Sequence, residues 1–407
     1  KKFYPTNALV TGPDIIFFWV ARMIMTGYEF MDELPYKDVY FTSILRDETG
    51  QKLSKSLGNS PDPFDLFDEF GTDAVRFGIM LMAPQGLDVL FAKDRLEIGR
   101  NFMNKLWNAC RFVQMNLPVD WIGSKDLIAD NLELPERWIL SRLADTIERF
   151  NRQLARFHFN EAAKGIYDFT WNDFCDWYVE IAKIQFYGDN DDKKMTARLV
   201  SIKCIRTILA LLHPYAPFIS EELWSYFKED GERDLMVSSW PVMANELVDK
   251  NTESDMELLK DMVMAIRSIR SRMNVPPSKI AELIVRCSED KETFIKNHLA
   301  LLQALTKIDK PKFGKSIKKP DQSATAVVHG MELYIPLGGL VDLNQERERM
   351  EKREAEIQKL ISGINGKLSN ENFVNRAPDH VVNHERSKLD SLTEELEKVT
   401  TNLETLQ

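Results

Sequence analysis

The sequence predicts a mainly α-helical chain with smaller α/β parts. Between residues 93 and 245, aromatic and aliphatic side chains recur at helical spacing over long stretches, which is typical of a helical bundle. From residue 342 onward, apolar residues repeat every seven positions, as in a coiled coil. Shorter runs elsewhere alternate between apolar and polar residues, or are bounded by glycine and proline, which indicates strands.

The composition limits the possible functions. The chain has 407 residues, 44% of them hydrophobic and 29% charged, which is enough for two or three domains. No apolar run approaches the roughly 20 residues that span a bilayer, and no secretory leader is recognisable, so we expect a cytoplasmic protein without a membrane partner. The four cysteines lie singly, which predicts no tightly bound metal. The net charge of -10 restricts nucleic-acid contact to local basic patches.

Residues 1–92 indicate part of an α/β layer. The expected elements are a strand at 7–10, a helix over 15–26 and a strand at 39–42. Asp14 is suited to cap the helix, which we expect to end near Gly27. Because strand, turn, helix and strand follow one another, the segment fits one layer of a mixed sheet.

Residues 93–245 predict the helical bundle. The expected helices are 94–116, 136–153, 159–187, 194–212 and 220–227. Aromatic residues recur three or four positions apart on them, so we expect these side chains in the bundle core. They are Phe102, Trp107, Phe112, Phe169, Phe174, Trp177 and Tyr178.

Two further parts follow the bundle. Residues 246–341 indicate a small α/β module with a helix over 256–273, a strand at 281–285 and a hairpin over 325–336. Lysines cluster between positions 307 and 319 of this module. Residues 342–407 predict two long helices that fold back as an antiparallel coiled-coil hairpin, with the connector at 368–378.

A short polar stretch, Gln-Lys-Leu-Ser-Lys-Ser-Leu-Gly-Asn-Ser at 51–60, has the features of a phosphate-binding loop. Lys52 and Lys55 supply positive charge that can stabilise phosphate oxygens, and Ser54 and Ser56 add hydroxyl donors. The Gly-Asn pair permits a tight turn. The spacing does not match a P-loop, and such a loop taken alone is more often only solvated.

The context gives this loop a function. Lys52 to Ser56 resembles the Lys-Met-Ser-Lys-Ser loop of the class I aminoacyl-tRNA synthetases, with leucine in the methionine position. Stretches at 70–80, 101–113, 168–183 and 211–224 resemble helices of the same enzymes, in the same order. The resemblance implies that Lys52, Ser54, Lys55 and Ser56 bind ATP, which arrives as its magnesium complex, and that the two lysines are catalytic. It also implies that 93–245 is an anticodon-binding domain.

Two stretches resemble the valyl-tRNA synthetases in particular. They are residues 4–25, "YPTNALVTGPDIIFFWVARMIM", and residues 367–389 in the final hairpin. The resemblance implies that Thr11, Gly12 and Asp14 lie near the aminoacyl-adenylate. It places Ile15 and Trp19, four positions apart on the expected helix, against the valine side chain. Isoleucyl- or leucyl-type synthetases, and a non-catalytic tRNA-binding protein, remain alternatives.

One motif of the family is missing from this sequence. The six histidines include no His-x-Gly-His pattern, and no segment is long enough for a hydrolytic editing domain. We therefore expect the chain to correspond to a C-terminal portion that does not form valyl-adenylate alone. Its expected parts are 1–92, the end of a Rossmann-type catalytic domain, 93–245, the anticodon-binding bundle, 246–341, a junction module, and 342–407, a tRNA-binding hairpin.

The expected partners are tRNA(Val), valine and ATP, and we expect a monomer. An acidic chain must meet tRNA through its basic clusters, because phosphate contacts dominate the affinity of most nucleic-acid complexes. The candidate contact residues are Lys310, Lys312, Lys315, Arg347, Arg349, Lys352 and Arg353.

Overall fold

The computed structural model describes residues 2–83, 86–118, 131–242, 247–370 and 379–405. The chain divides into two units, Lys1–Glu253 and Ser254–Gln407. Mixed helices and strands followed by a helical bundle form the first unit, and a four-stranded sheet and a helical hairpin lie in the second. The mainly α-helical class with α/β parts is thus confirmed.

Short parallel strand pairs begin the first unit. Strands β1 (Thr6–Thr11) and β2 (Tyr36–Phe41) pair in parallel, and so do β3 (Leu45–Arg46) and β4 (Val89–Leu90). Both strands expected in this region are therefore present. Helices α2 (Pro63–Phe70) and α3 (Thr72–Met82) follow the lysine loop.

The connection between β1 and β2 differs from the single helix that we expected over 15–26. It consists of a 3-10 turn (Pro13–Ile15), a π-helical turn (Ile16–Val20) and helix α1 (Ala21–Met31). Gly27 does not end the helix. A Cβ atom there would lie 2.8 Å from the Tyr4 hydroxyl oxygen, so this glycine permits close packing, and α1 ends at Asp32 in the left-handed conformation.

The bundle contains the helices expected in 93–245, with shifted ends. They are α4 (Arg95–Met115), α5 (Leu134–Ala155), α6 (Phe159–Asp168), α7 (Val179–Phe186), α8 (Asp191–Leu212) and α9 (Pro217–Trp224). A π-helical segment, Phe169–Tyr178, joins α6 to α7. Among the expected core aromatics, Phe102, Phe169, Phe174 and Tyr178 are buried, whereas Trp107 is partly exposed.

A mixed sheet forms the centre of the second unit. Its strands are β5 (Ala281–Arg286), β6 (Ile308–Gly314), β7 (Ser323–Val328) and β8 (Met331–Pro336), in the order β6-β5-β8-β7. Helix α10 (Lys250–Arg272), which begins in the last residues of the first unit, precedes them. Helices α11 (Glu289–Asn297) and α12 (Leu299–Thr306) connect β5 to β6. Part of the lysine cluster at 307–319 is therefore an edge strand.

The final segment is the predicted antiparallel hairpin of α13 (Leu343–Leu368) and α14 (Asp379–Thr405). Arg353 pairs with Glu395 and Lys367 pairs with Glu385, so positions rise along one helix as they fall along the other. Ile357, Ile364 and Leu392 form its buried core. Residues 371–378 of the expected connector lie outside the described residues.

The contact between α3 and α4 generates a test with a matched pair of glycines. A Cβ atom at Gly99 would lie 2.2 Å from the Ala74 carbonyl oxygen, whereas nothing lies within 4 Å of one at Gly165, which is also helical. We expect Gly99→Ala to lower the free energy of unfolding by about 1–3 kcal/mol through overpacking. Gly165→Ala should raise it by about 0.5–1 kcal/mol. Urea denaturation followed by tryptophan fluorescence measures both, and equal effects would contradict the packing argument.

Candidate functional site

The carboxyl ends of β1 and β2 lie at one edge of their parallel pair. Thr11 ends β1, and its carbonyl oxygen accepts a hydrogen bond from the Thr42 amide at 2.9 Å. Gly12 and Asp14 follow immediately in the chain. In open α/β sheets ligands bind beyond the carboxyl ends of parallel strands, so the three residues predicted to contact adenylate lie where such a site forms.

Asp47 and Asn59 fix the two ends of the lysine loop. The Asp47 carboxylate accepts hydrogen bonds from the Thr49 hydroxyl at 2.7 Å, the Gln51 amide at 2.9 Å and the Asn59 side-chain amide at 2.8 Å. The Asn59 side-chain oxygen in turn accepts from the Ser54 amide at 2.8 Å. These bonds close the loop around an asparagine side chain, so side chains within the loop itself define its shape.

The Asp47 carboxylate is the common acceptor of hydrogen bonds that hold the lysine loop, which together form the loop scaffold. Hydrogen bonds from the side chains of Thr49 and Asn59, with backbone amides, lower its pKa to about 2. It is therefore ionised throughout the physiological range and keeps its acceptors available. Sequence reasoning missed Asp47, although an aspartate two positions before a threonine, ahead of a glycine, is the pattern of an Asx turn.

The serines and the first turn of the loop complete its geometry. Ser54 and Ser56 share a hydrogen bond between their hydroxyl oxygens at 2.7 Å. A 3-10 turn, Lys55–Leu57, ends at Gly58, whose φ of 69° is left-handed and suits glycine. Both hydroxyls therefore lie on one small turn that also carries Lys55.

An ion pair brings the loop to the edge of β1. The Lys52 Nζ lies 2.8 Å from the Asp14 Oδ2, and both side chains are more than half exposed. Such exposed pairs contribute little to stability, typically less than about 1 kcal/mol. Lys55 has no carboxylate within ion-pair distance among the residues that the structure describes. The structure thus brings together Asp14 and Lys52, two residues predicted from separate motifs.

Exposed apolar side chains lie beside this charged pair in the chain. Ile15 is 37% exposed and Trp19 is 58% exposed, and the neighbouring Phe17 reaches 83%. Ile15 ends the 3-10 turn and Trp19 belongs to the π-helical turn, so the α-helical spacing that we expected does not position them. Several large apolar side chains exposed next to one another in the chain are typical of a ligand-binding or protein-interaction surface.

The candidate tRNA contacts lie on β6 and α13 of the second unit. Lys312 pairs with Glu282 at 2.7 Å, whereas Lys315 is exposed just beyond β6. Lys310 belongs to β6, and its side chain lies outside the described residues. Arg347 and Arg349 lie on α13, and Arg349 is exposed.

The remaining two candidate tRNA contacts, Lys352 and Arg353, are already in ion pairs with glutamates. Lys352 pairs with Glu348 at 2.6 Å, and Arg353 pairs with Glu395 at 2.7 Å and with Glu356 at 3.2 Å. The hydrogen bonds that Lys352 and Arg353 donate to these glutamates, together with the negative charges of the glutamates, raise the pKa of both basic groups. A phosphate would have to compete with these carboxylates.

Within the described residues, neither a metal site nor a membrane-spanning helix is present. No group of three histidine, cysteine, aspartate or glutamate side chains is arranged to hold a metal ion. None of the described helices combines the length and apolar character that crossing a bilayer requires.

Three family models match the chain in succession. Residues 1–92 match tRNA synthetases class I (I, L, M and V), residues 136–285 match the anticodon-binding domain of tRNA ligase, and residues 342–407 match the valyl tRNA synthetase tRNA binding arm. Together with the lysine loop and the helical bundle, these matches define the class as the class I aminoacyl-tRNA synthetases.

Curated relatives narrow the class. A valine–tRNA ligase from Fusobacterium nucleatum is 43% identical over 94% of this chain and 44% of its own length. One from Syntrophotalea carbinolica is 42% identical over 100% of this chain and 45% of its own length. The chain belongs to the valyl-tRNA synthetase family, and it spans less than half the length of these relatives.

A solved structure with a lower similarity is a ternary complex of an Agrobacterium radiobacter leucyl-tRNA synthetase with tRNA. It is 18% identical, with a TM-score of 0.49, and the match covers 74% of this chain and 35% of that chain.

The scaffold of the lysine loop predicts a change in protease sensitivity. Replacing Asn59 by alanine removes the acceptor of the Ser54 amide and a donor to Asp47. We expect trypsin to cleave after Lys52 and Lys55 several-fold faster, because loss of one or two hydrogen bonds shifts local opening by about tenfold. The rate of appearance of both cleavage products measures the effect.

Ser56→Ala is the matched control for this change. It removes only the hydroxyl contact with Ser54 and leaves the Asp47–Asn59 scaffold intact. Equal cleavage rates for the Asn59→Ala chain and the unaltered chain would show that Asn59 does not hold the loop.

Proposed function

We propose that the chain contributes the lysine-loop side of a site that activates valine with ATP and transfers it to tRNA(Val). The observation that carries this proposal is the 2.8 Å ion pair between Lys52 and Asp14. It joins the lysine loop to the strand edge where Thr11 and Gly12 also lie. The reaction is proposed from membership of the valyl-tRNA synthetase family, and Lys52 and Asp14 are proposed to take part because their side chains lie together.

The reaction develops negative charge that this loop is suited to stabilise. A carboxylate oxygen of valine attacks the α-phosphorus of ATP, the bond to the bridging oxygen breaks, and pyrophosphate leaves. A terminal ribose hydroxyl of tRNA then attacks the carbonyl carbon of valyl-adenylate, and AMP leaves. We propose that Lys52 and Lys55 stabilise the phosphate oxygens and that Ser54 and Ser56 donate hydrogen bonds to them. ATP brings its magnesium as a substrate complex.

The Lys52–Asp14 ion pair is proposed to be the state of the loop before ATP binds. One exposed carboxylate holds the Lys52 ammonium weakly, whereas a triphosphate offers several negative charges in the same region. We propose that Lys52 exchanges Asp14 for phosphate when ATP binds. Asp14 is then released to face the amino group of valine, which carries a positive charge at neutral pH.

Ile15 and Trp19 are proposed to contact the valine side chain. An aliphatic and an indole surface can enclose a small branched side chain and leave no room for a larger one. One methylene group in such a pocket is worth about 1–3 kcal/mol of discrimination. Because both side chains are now exposed, we propose that polypeptide outside this sequence completes the pocket.

The other three parts are proposed to hold tRNA. The bundle in 93–245 is proposed to read the anticodon, the hairpin in 342–407 to lie along the tRNA, and the module in 246–341 to join them. The matches of residues 136–285 to an anticodon-binding domain and of residues 342–407 to a tRNA binding arm support the roles of the bundle and the hairpin. A monomeric state and a cytoplasmic location are part of the same proposal.

Ion pairing separates the candidate phosphate contacts into two groups. Lys312, Lys352 and Arg353 must exchange a carboxylate for a phosphate. Lys315 and the nearby Lys318 and Lys319 are exposed and have no ion-pair partner within the described residues. We propose that these three lysines make the stronger contacts, because no existing pair has to break.

A second candidate function is tRNA binding without catalysis by this chain alone. The absence of a His-x-Gly-His motif from the sequence and the exposure of Trp19 favour it. This candidate keeps the bundle and the hairpin in the same roles and removes only the chemical steps.

Binding of tRNA tests the proposal. We expect the chain to bind tRNA(Val) about tenfold more tightly than tRNA(Ile) or tRNA(Leu), a difference of about 1.4 kcal/mol. Fluorescence anisotropy with labelled transcripts at fixed salt measures it. We also expect no valine-dependent ATP–pyrophosphate exchange from the chain alone.

Two results would change this assignment. Equal affinity for the three tRNAs would remove the basis for valine specificity in the bundle and the hairpin. Robust valine-dependent exchange by the chain alone would show that its active site is complete without further polypeptide.

The exposed lysines give a second tRNA test. Replacing Lys315, Lys318 and Lys319 together by alanine should weaken tRNA(Val) binding and reduce the slope of log affinity against log salt by about two to three, since each phosphate contact contributes about 0.7–0.9. The matched control replaces the same three lysines by arginine, which keeps the charge and should keep the slope. An unchanged slope in the alanine variant would exclude this cluster from the tRNA interface.

A further inference from the structure

The corner between α8 and α9 lies at residues 213–216, inside the stretch "LLHPYAPFISEELW". The backbone closes this corner tightly, because the amides of Tyr215 and Ala216 both donate to the Leu212 carbonyl oxygen. His213 Nδ1 lies 2.8 Å from the Ser220 hydroxyl oxygen across the corner. Pro217 begins α9 and brings no amide hydrogen, which suits the first position of a helix.

Helix α3 contacts both sides of this corner with two charged side chains. Arg76 donates from Nε to the Tyr215 carbonyl oxygen at 3.1 Å and from Nη2 to the Pro214 carbonyl oxygen at 3.2 Å. The Asp73 Oδ2 accepts from the Ile219 amide at 2.6 Å. The cation therefore meets the carbonyl end of α8 and the anion meets the amide end of α9, which is the favourable sign at each helix end.

The Asp73 carboxylate, which accepts the hydrogen bond from the Ile219 amide, is buried from solvent. Only 8% of the residue is exposed, and burial raises its pKa while the amides of Ile219 and Phe218 and the Arg76 charge act in the opposite direction. A buried carboxylate that loses its amide partner leaves an unsatisfied group, which is more costly than losing a surface hydrogen bond. The corner is thus held to α3 by a hydrogen bond to this buried carboxylate through Oδ2 alone, since Oδ1 is buried without a hydrogen-bond partner in the part of the chain that the structure describes.

Tyr215 extends this contact toward β2. Its ring packs edge-on against Phe77 of α3, with centroids 6.2 Å apart. Its hydroxyl donates to the Phe159 carbonyl oxygen at 3.0 Å, and the Phe159 ring lies 5.2 Å from the Tyr40 ring of β2. Phe157, with a left-handed φ of 60°, also packs on Tyr40. A bulky residue holds that conformation only where its surroundings fix it.

The same elements lead directly to the lysine loop. Strand β2 precedes β3 and the start of the loop, while the end of the loop runs into α2 and α3. The Leu53 amide donates to the Leu45 carbonyl oxygen, so the loop is also bonded to β3. Along the chain the loop therefore lies between two elements that both contact the bundle, β2 through Phe157 and Phe159 and α3 through Tyr215.

We infer that Asp73 and Arg76 are positioning residues that set the lysine loop relative to the bundle through the α8–α9 corner. The inference rests on the proposed function for its consequence, since the loop would then bind ATP and the bundle would bind tRNA. A movement of the corner on tRNA binding would reach Lys52 and Lys55 without any contact between them and the RNA.

Hydrogen–deuterium exchange of the whole chain, without ATP or tRNA, tests this inference. We expect Asp73→Ala to increase exchange about tenfold or more in residues 217–224, the effect of losing a hydrogen bond to a charged group. We also expect a clear increase in residues 52–60, although none of them contacts Asp73. Asp73→Asn keeps an acceptor for the Ile219 amide and should restore most of the protection in both segments.

Asp68→Ala is the matched control, because Asp68 is an exposed aspartate on the neighbouring α2. It should leave both segments unchanged. Increased exchange in 217–224 with unaltered exchange in 52–60 would overturn the inference and leave Asp73 as a local helix cap. If Asp73→Ala unfolds the bundle, Arg76→Ala replaces it, because Arg76 is exposed and its loss is less disruptive. The inference then requires that Arg76→Ala increase exchange in both 217–224 and 52–60. Failure of tRNA binding would not affect this result, so the inference and the proposed function fail separately.

Discussion

The hydrogen bond from the Ile219 amide to the buried Asp73 carboxylate is the interaction on which we infer the placement of the lysine loop against the bundle to depend. It joins residues 146 positions apart, and it fixes a helix of the loop-bearing part against a helix that closes the bundle. Gly99 supports the contact from the other side by letting α4 approach α3 without a side chain between them. Asp47 shapes the lysine loop locally and a backbone bond joins the loop to β3, while its position relative to the bundle is what we infer α3 to set.

The sequence predicted most elements because their periodicity is a local property. Helices α4 to α9 and the hairpin core were recognisable from apolar spacing alone. The 3-10 and π-helical turns before α1 were not, because the apolar residues at 15–20 also fit an ordinary α-helical pattern. Strand β6 was hidden by its lysines and its proline, which are tolerated only because it lies at an edge of the sheet.

The charged residues of the candidate site were predictable from the sequence, but the residues with which they pair were not. Lys52 and Asp14 were expected from different motifs, and only the folded chain places their side chains 2.8 Å apart. Asp47 was missed because its role is to accept hydrogen bonds inside the loop. Arg353 was expected to contact tRNA, yet it bonds to Glu395 across the hairpin, a pairing that depends on the register of two helices far apart in the sequence.

The edge position of β6 has a consequence for solubility. An edge strand presents unpaired backbone amides and carbonyls, and lysines on it discourage pairing with another molecule. Lys312, paired with Glu282 on the neighbouring strand, keeps charge on this edge. The charge that Lys312 places on β6 therefore disfavours pairing of this edge with the sheet of a second copy, whether or not RNA is present.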